Sequence, residues 1–217
     1  FYSFPMALQS GDLIDLSPPA TPALGVWPGD TPLEREILTR LADGSSVNLS
    51  TLRSTVHLGT HTDAWSHVID GAATIAEMPL DAYVGPCHVI HAAVDRSQLI
   101  TTDHLSSELE GVERLLVGTG TFPDPERFNE DFASFDPAVA TWLGDQGGRL
   151  LGIDTPSVDL FESKDLPTHH RCAELGIAIL EGIVLTDVPA GRYELLALPL
   201  PLVGFDASPV RAVLRVP

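Results

Sequence analysis

Histidine and carboxylate side chains are concentrated in one short segment, HLGTHTDAWSH, which begins at His57. The segment also holds His61, Asp63 and His67, in a chain that has only eight histidines. Imidazole and carboxylate groups without thiolates are typical ligands of zinc, manganese or iron. The alternative is that these are polar residues on the solvent face of a strand. Their concentration within one segment favours a metal site.

The backbone that positions this segment is predicted to be extended. A spacing of four residues would place His57 and His61 on one face of a helix, but Gly59 lies between them and a segment rich in Val, Thr and Leu precedes them. In an extended chain His57, His61, Asp63 and His67 point to the same face. Because Gly59 has no side chain, it either leaves room for an ion between the two imidazoles or allows a bend that brings them together.

A second group of candidate ligands lies further along the chain. His169 and His170 are adjacent, and Glu181 follows within the apolar run IAILEGIVL. A carboxylate buried in such a run needs a partner such as a metal ion. Adjacent residues on a helix point about 100° apart, so we expect only one of the two histidines to reach the site. The other histidines have no such neighbours and are interpreted as satisfied or exposed: His88, His91 and His104.

The composition limits the class of protein. The 217 residues suit one domain over 1–217, with residues 1–10 disordered or added at cloning. Lys and Arg total 12 against 30 Asp and Glu, and the net charge of −18 disfavours nucleic acid and anionic membranes as partners. Cys87 and Cys172 form neither a disulfide framework nor a thiolate metal site. Because no apolar run reaches membrane length, we expect a cytoplasmic protein.

The pattern of elements predicts an α/β fold with a mixed, strand-rich sheet and short helices. A Pro-rich stretch, 17–32, is expected to be irregular and to display Trp27 in a turn. Helices are predicted over 102–110, from Asp136-Pro137 to Gly147-Gly148, and from Pro167 to Gly176. Strands are predicted over residues 12–17, 46–58, 86–92, 113–117, 149–154, 177–185, 193–200 and 209–216.

HLGTHTDAWSH resembles the H-x-G-T-H-x-D-x-x-x-H signature of the metal-dependent cyclase family. The resemblance runs from about Asp12 to Leu214. Segments such as VWPGDTP, GIDTPSVD and AILEGIVLTDVPAGRYELLALPL are similar to the kynurenine formamidase (arylformamidase) branch of that family. The resemblance implies a swivelling β/β/α fold, a homodimer and two divalent metal ions per subunit, with zinc as first choice and manganese as second.

The resemblance also implies a ligand set. His57 and His61 would be terminal ligands, Asp63 and Glu181 would bridge the two ions, and His169 would bind the second ion.

The implied reaction is hydrolysis of N-formyl-L-kynurenine to L-kynurenine and formate. His67 would be the acid/base histidine that gives a proton to the leaving nitrogen, and Trp27 would contact the aromatic substrate. Without the resemblance, Trp27 is equally well a hydrophobic plug beneath the Pro-rich loop. Trp65 stands where the family usually has proline and is expected to narrow or reshape the pocket. The alternatives are a related cyclic amide or lactone hydrolase, similar to isatin hydrolase, and a metal-binding relative without activity.

Overall fold

The structure, a computed structural model, describes residues 8–105 and 109–217. Single turns of 3-10 helix lie at Leu41–Asp43, Trp65–His67, Ile75–Glu77, Leu80–Ala82 and Thr102–His104. The α-helices are α1 (Pro137–Asp145) and α2 (Pro167–Leu175). The strands are β1 (Leu13–Asp15), β2 (Glu34–Thr39), β3 (Leu49–Arg53), β4 (His61–Asp63), β5 (Val84–His91), β6 (Leu99–Ile100), β7 (Arg114–Gly118), β8 (Ser134–Phe135), β9 (Leu150–Ile153), β10 (Ala178–Glu181), β11 (Gly191–Leu196), β12 (Ala207–Pro209) and β13 (Val213–Arg215).

Nine of these strands form one mixed sheet, in the order β1-β13-β11-β5-β7-β9-β10-β4-β12. The four central strands, β5, β7, β9 and β10, are parallel to their neighbours within this group, and the strands on both sides join antiparallel. Parallel strands are covered on both faces, which explains why β7, β9 and β10 are nearly continuous apolar runs. The predicted α/β class with a mixed, strand-rich sheet and short helices is confirmed.

Alternation along the central strands divides the core into two clusters, one on each face of the sheet. Alternate residues of a strand point to opposite faces. The cluster on one face includes Leu116, Leu150 and Leu180. The cluster on the other face includes Leu115, Leu151 and Ile179, together with side chains from α1 and α2.

Both helices begin where the sequence indicates, and α2 also ends as indicated, whereas α1 ends at Asp145, two residues before Gly147. Asp136 accepts a hydrogen bond from the amide of Ala138 and proline occupies the first helical position of α1. Gly176, in the left-handed region at φ 70°, ends α2. The helix predicted over 102–110 is wrong in extent, because only the turn at Thr102–His104 forms and Leu105 is already extended. Residues 106–108 of that prediction lie outside the described residues.

Several predicted strands are shorter than expected. The strand predicted over 177–185 ends at Glu181, because Gly182 adopts φ 64°. The segment 209–216 is interrupted at 210–212, so that β12 and β13 pair with different strands. The strand β2 was not predicted from the sequence.

The N-terminal segment and the two cysteines can also be compared with the sequence predictions. Of the segment 1–10, residues 1–7 lie outside the described residues, whereas Leu8 packs against the core. Both cysteines are buried free thiols, as expected. No helix in the described part of the chain is long and apolar enough to cross a membrane.

Gly182 is the point at which β10 meets the segment that carries the histidine signature. A Cβ atom at Gly182 would lie 2.2 Å from the carbonyl oxygen of Gly59, closer than real contacts allow. The two backbones can therefore approach only because no side chain separates them. This contact sets the distance between Glu181 and the segment of His57.

We expect Gly182→Ala to lower the free energy of unfolding by about 3 kcal/mol or more, because backbone strain and a steric clash add. Gly204→Ala is the matched control, since Gly204 has φ 80° and a Cβ atom added there would have no neighbour within 4 Å. That variant should lose only about 1 kcal/mol. Urea denaturation of both variants measures the difference, and equal losses would contradict a specific role for the contact with Gly59.

Candidate metal centre

Three separate parts of the chain bring the predicted ligands together. His61 and Asp63 lie on β4, and Glu181 lies opposite His61 at the end of the neighbouring strand β10. His169 comes from the first turn of α2. His57 precedes β4, and the bend at Gly59, with φ 56°, turns it towards the same place. Of the two arrangements that the sequence left open, the bend is the one observed.

The side chains form two overlapping groups that share one carboxylate. Ligand atoms of His61, Asp63 and Glu181 lie within 4.8 Å of one another, and so do those of His57, Asp63 and His67. His169 contacts both carboxylates of the first group: its Nε2 lies 3.4 Å from Asp63 Oδ2 and 3.5 Å from Glu181 Oε1. Asp63 is therefore the one carboxylate common to both groups.

Asp63 is the strongest evidence that the cluster fits a cation. Both of its carboxylate oxygens are buried without a hydrogen-bond partner. Ring nitrogens approach them without hydrogen-bond geometry, at 3.1 Å from His57 Nδ1 and 3.6 Å from His61 Nε2. The negative charge of a buried carboxylate must be balanced by a partner. Here nitrogen and oxygen atoms converge without forming hydrogen bonds to one another, so a bound cation is the partner that fits. The residues present fit a divalent metal.

The opposite ring nitrogen of each histidine is held by an acceptor. His169 Nδ1 donates to Asp159 Oδ2 at 2.7 Å, and His61 Nδ1 donates to the carbonyl of Gly59 at 3.0 Å. His57 Nε2 donates to Asp206 Oδ2 at 3.0 Å. Because carboxylate and carbonyl oxygens only accept, these bonds fix the rings so that the second nitrogen of each points to the cluster. Such outer acceptors are typical of histidines that bind metals.

The electrostatics of the cluster favour positive charge. Burial disfavours the charged form of His57, but hydrogen bonding to Asp206 and contact with Asp63 prevail and raise its pKa to about 10. For Asp63, burial is outweighed by contacts with His169 and His57, which hold its pKa well below the usual range. The pKa of His169 is raised despite burial, chiefly because of Asp159. Without a metal ion, protonated imidazoles balance the charge of the carboxylates, and a metal ion would displace those protons.

His67 reaches the cluster by a route different from the predicted one. The extended chain ends at Asp63, and His67 lies on the 3-10 turn that follows, so the prediction of one continuous extended face is wrong beyond Asp63. The turn still directs His67 towards the site. Its Nδ1 lies 3.2 Å from Asp206 Oδ2, and its ring centroid is 4.6 Å from that of His57.

A cavity of about 870 Å³ opens onto the cluster. Trp27 and Phe128 line it, with ring centroids 5.6 Å apart, and Trp27 also packs against Phe161, with ring centroids 4.8 Å apart. Trp27 therefore lines the cavity and is also part of a packed aromatic group. Trp65, in contrast, is not among the residues that line the cavity; its indole donates to the carbonyl of Ile177. Trp65 therefore does not narrow the pocket directly, and an indirect effect on the shape of the pocket stays a prediction.

The histidines outside the cluster mostly follow the expectation from sequence. His170 is exposed, whereas its neighbour His169 is buried. His91 bonds to the carbonyl of Val188, and His104 bonds to Thr101. His88 differs, because its Nδ1 is buried without a hydrogen-bond partner.

The contrast between adjacent histidines gives a direct test. His169→Ala is expected to lower metal affinity about tenfold or more, because Nε2 is removed from beside both carboxylates. His170→Ala should leave affinity unchanged and serves as the control. Zinc affinity of both purified variants is measured by calorimetric titration. Equal loss in two folded variants would exclude His169 as a specific ligand.

Two carboxylates of the site were missed by sequence reasoning. Asp159 accepts from the amides of Thr168 and His169 as well as from the imidazole of His169, so it both caps α2 and orients that imidazole. Asp206 joins His57 and His67. The signal that could have found Asp206 is an isolated acid in an apolar stretch, as in LPLVGFDASPV, the same signal that indicated Glu181.

The fold and the cluster define an α/β protein with a buried histidine–carboxylate centre at one end of its parallel strands. The Cyclase family model matches residues 14–160, and the chain belongs to this family. A structure described as a potential metal-dependent hydrolase with cyclase activity is 31% identical, with a TM-score of 0.80 over 95% of this chain and 99% of that one. A predicted metal-dependent hydrolase from Bacillus stearothermophilus is 30% identical, with a TM-score of 0.79 over 95% and 98%.

Isatin hydrolase A from Ralstonia solanacearum shares the fold at 20% identity, with a TM-score of 0.80 over 95% of this chain and 92% of that chain.

Proposed function

We propose that the protein is a metal-dependent amide hydrolase, and that its substrate is an aryl formamide, N-formyl-L-kynurenine, which it converts to L-kynurenine and formate. The observation that carries the proposal is the convergence of three histidines on the unpartnered oxygens of Asp63, beside an aromatic-lined cavity. Two structural relatives at 30% identity or above are described as metal-dependent hydrolases, which supports the same class.

The proposed cofactors are two divalent ions per subunit, zinc first and manganese second. His57, His61, Asp63, His169 and Glu181 would hold them, as the family resemblance implies. When bound, such ions polarise an amide carbonyl and lower the pKa of a water molecule towards neutrality.

His67 is proposed to move the proton that the leaving group needs. An aryl amine leaves poorly as an anion, so its nitrogen must gain a proton as the C–N bond breaks. Since Asp206 can only accept, Nδ1 of His67 carries a hydrogen towards it, so Nε2 is the atom free to take up a proton from the attacking water and then pass it to the leaving nitrogen. Asp206 would hold the ring in that orientation.

The aromatic side of the cavity is proposed to bind the arene. Trp27 and Phe128 line the cavity and present ring faces and edges that suit stacking against a flat substrate. Both pack against Phe161, which restricts their motion. The arene would then place its formamide towards the histidines.

A turnover assay tests the function. The purified protein, stripped of metal and restored with zinc or manganese, should release formate from N-formylkynurenine, and the stripped sample should not. Isatin is the comparison substrate. Hydrolysis of isatin without hydrolysis of the formamide would replace the proposal with a cyclic amide hydrolase, and tight metal binding without turnover of either would indicate an inactive relative.

We also propose a homodimer. The strands β2 and β3 pair only with each other among the described residues, and a two-stranded sheet alone is marginal in water. Side chains on this hairpin are apolar and exposed, as on surfaces that bind a partner: Ile37, Leu38, Leu41, Val47, Leu49 and Leu52. Light scattering of the purified protein should give twice the chain mass, and Leu52→Glu should reduce it; a monomeric wild type would refute the dimer.

We also propose that the protein is cytoplasmic. Its two cysteines are buried free thiols, which supports a reducing compartment.

A further inference from the structure

Lys164 is the only lysine in the chain, and it lines the cavity. It lies in the loop between β9 and α2, five residues before His169. The chain has a net charge of −18, and its single lysine ammonium group lies at the cavity that contains the candidate site.

The acidic residues that line the cavity away from the cluster already have partners. Asp30 accepts from the hydroxyl of Thr55, and Asp154 accepts from the side chain and amide of Thr119. Asp206 is bonded to the imidazoles of His57 and His67. None of these carboxylates holds the ammonium group.

Lys164 itself has no hydrogen bond or ion pair with any other described residue. Some arginines elsewhere on the protein contrast with it, since Arg96 pairs with Asp131 and Arg215 with Glu194. The cavity wall therefore offers one uncommitted cation, and the cavity volume lies near the upper end of the range for ligand pockets. That volume leaves space beyond an arene for a further, acidic part of the ligand.

We propose that Lys164 binds a carboxylate of the substrate, so that the substrate class is aryl amides that carry an anionic group away from the amide to be cleaved. The inference rests on the proposed function. A lysine ammonium is a flexible point charge with three donors, suited to hold an anion without fixing its orientation. Lys164 is thus a specificity-determining residue that separates acidic formamides from neutral ones.

The test compares an anionic with a neutral substrate in the metal-loaded enzyme. Lys164→Met is expected to raise KM for N-formylkynurenine about fivefold and to leave kcat unchanged, as for loss of a solvent-exposed ion pair. KM for formanilide, which lacks the carboxylate, should not change. Lys164→Arg should restore most of the affinity. Arg192→Met, which removes one exposed positive charge away from the cavity, is the matched control and should change neither KM.

Added salt gives a second readout. KM for N-formylkynurenine should rise with sodium chloride in the wild type and much less in Lys164→Met, because screening removes the same interaction. Equal changes for both substrates in Lys164→Met would indicate a structural role and overturn the proposal, as would no change for either.

A binding experiment keeps this inference separate from the proposed function. Calorimetry of kynurenine and of ortho-aminoacetophenone, the same arene without the amino-acid group, needs no turnover. Lys164→Met should weaken the binding of kynurenine and leave the binding of ortho-aminoacetophenone unchanged. If the wild type hydrolyses neither formamide, the proposed function fails, while this difference in binding still decides whether Lys164 recognises a carboxylate.

Discussion

Asp63→Asn is expected to remove bound metal and to lower hydrolysis by about 10³-fold or more, since the ion supplies several kcal/mol of transition-state stabilisation. Asp63 is the one side chain common to both ligand groups, and its two oxygens have no other hydrogen-bond partner. An amide keeps the shape but lacks the charge and can offer only one oxygen. A single substitution therefore disrupts both candidate ion positions.

The measurement is metal content after dialysis, together with thermal unfolding. A chelator should lower Tm of the wild type, because ligands that bind only the folded state stabilise it, and should leave Tm of Asp63→Asn unchanged. Asp154→Asn is the control, because this carboxylate is also largely buried but is held by Thr119 and Gly120; it should retain metal. Stoichiometric metal in dialysed Asp63→Asn would show that the centre lies elsewhere.

His67→Ala is expected to keep the metals and to lower kcat about 10²- to 10⁴-fold, the usual contribution of general acid–base catalysis. The reason is the geometry at Asp206, which holds Nδ1 and leaves Nε2 available for proton transfer. The competing role is that of a third histidine ligand, since His67 also groups with His57 and Asp63.

Metal content and kcat, measured side by side, separate the two roles. A metal-depleted His67→Ala would make the residue a ligand, and a fully active one would mean that the proton comes from another group. Asp206→Asn should reduce kcat less than His67→Ala does, because the imidazole remains and only its orientation is lost.

The cluster could be predicted from sequence because its residues are of unusual type for their surroundings. Four of them lie within one segment, and Glu181 is a charge in an apolar run. The exposed His170 beside the buried His169 follows from helical geometry alone. The structure brings all the predicted residues to one cavity, whereas the role of each stays a prediction for the experiments above.

What sequence could not supply was the path of the backbone between these residues. The turn that carries His67 and the end of β10 at Gly182 depend on contacts between distant segments, such as the approach of Gly182 to Gly59. Asp206 becomes a partner of His57 only because β12 pairs with β4, a long-range choice without local periodicity. The strand β2 could not be predicted because it has no buried face and its sequence, EREILT, lacks the Val-, Thr- and Leu-rich composition that indicated the equally exposed β3.

The pairing of β4 with both β10 and β12 has a consequence for how the protein is made. A chain leaving the ribosome presents the segment of His57 to His67 well before the partners of β4 have been synthesised. During that interval the imidazoles are open to stray transition-metal ions and the strand edge is open to other nascent chains. The pocket between these strands can therefore take its final geometry only after β10 and β12 have been made, near the end of synthesis.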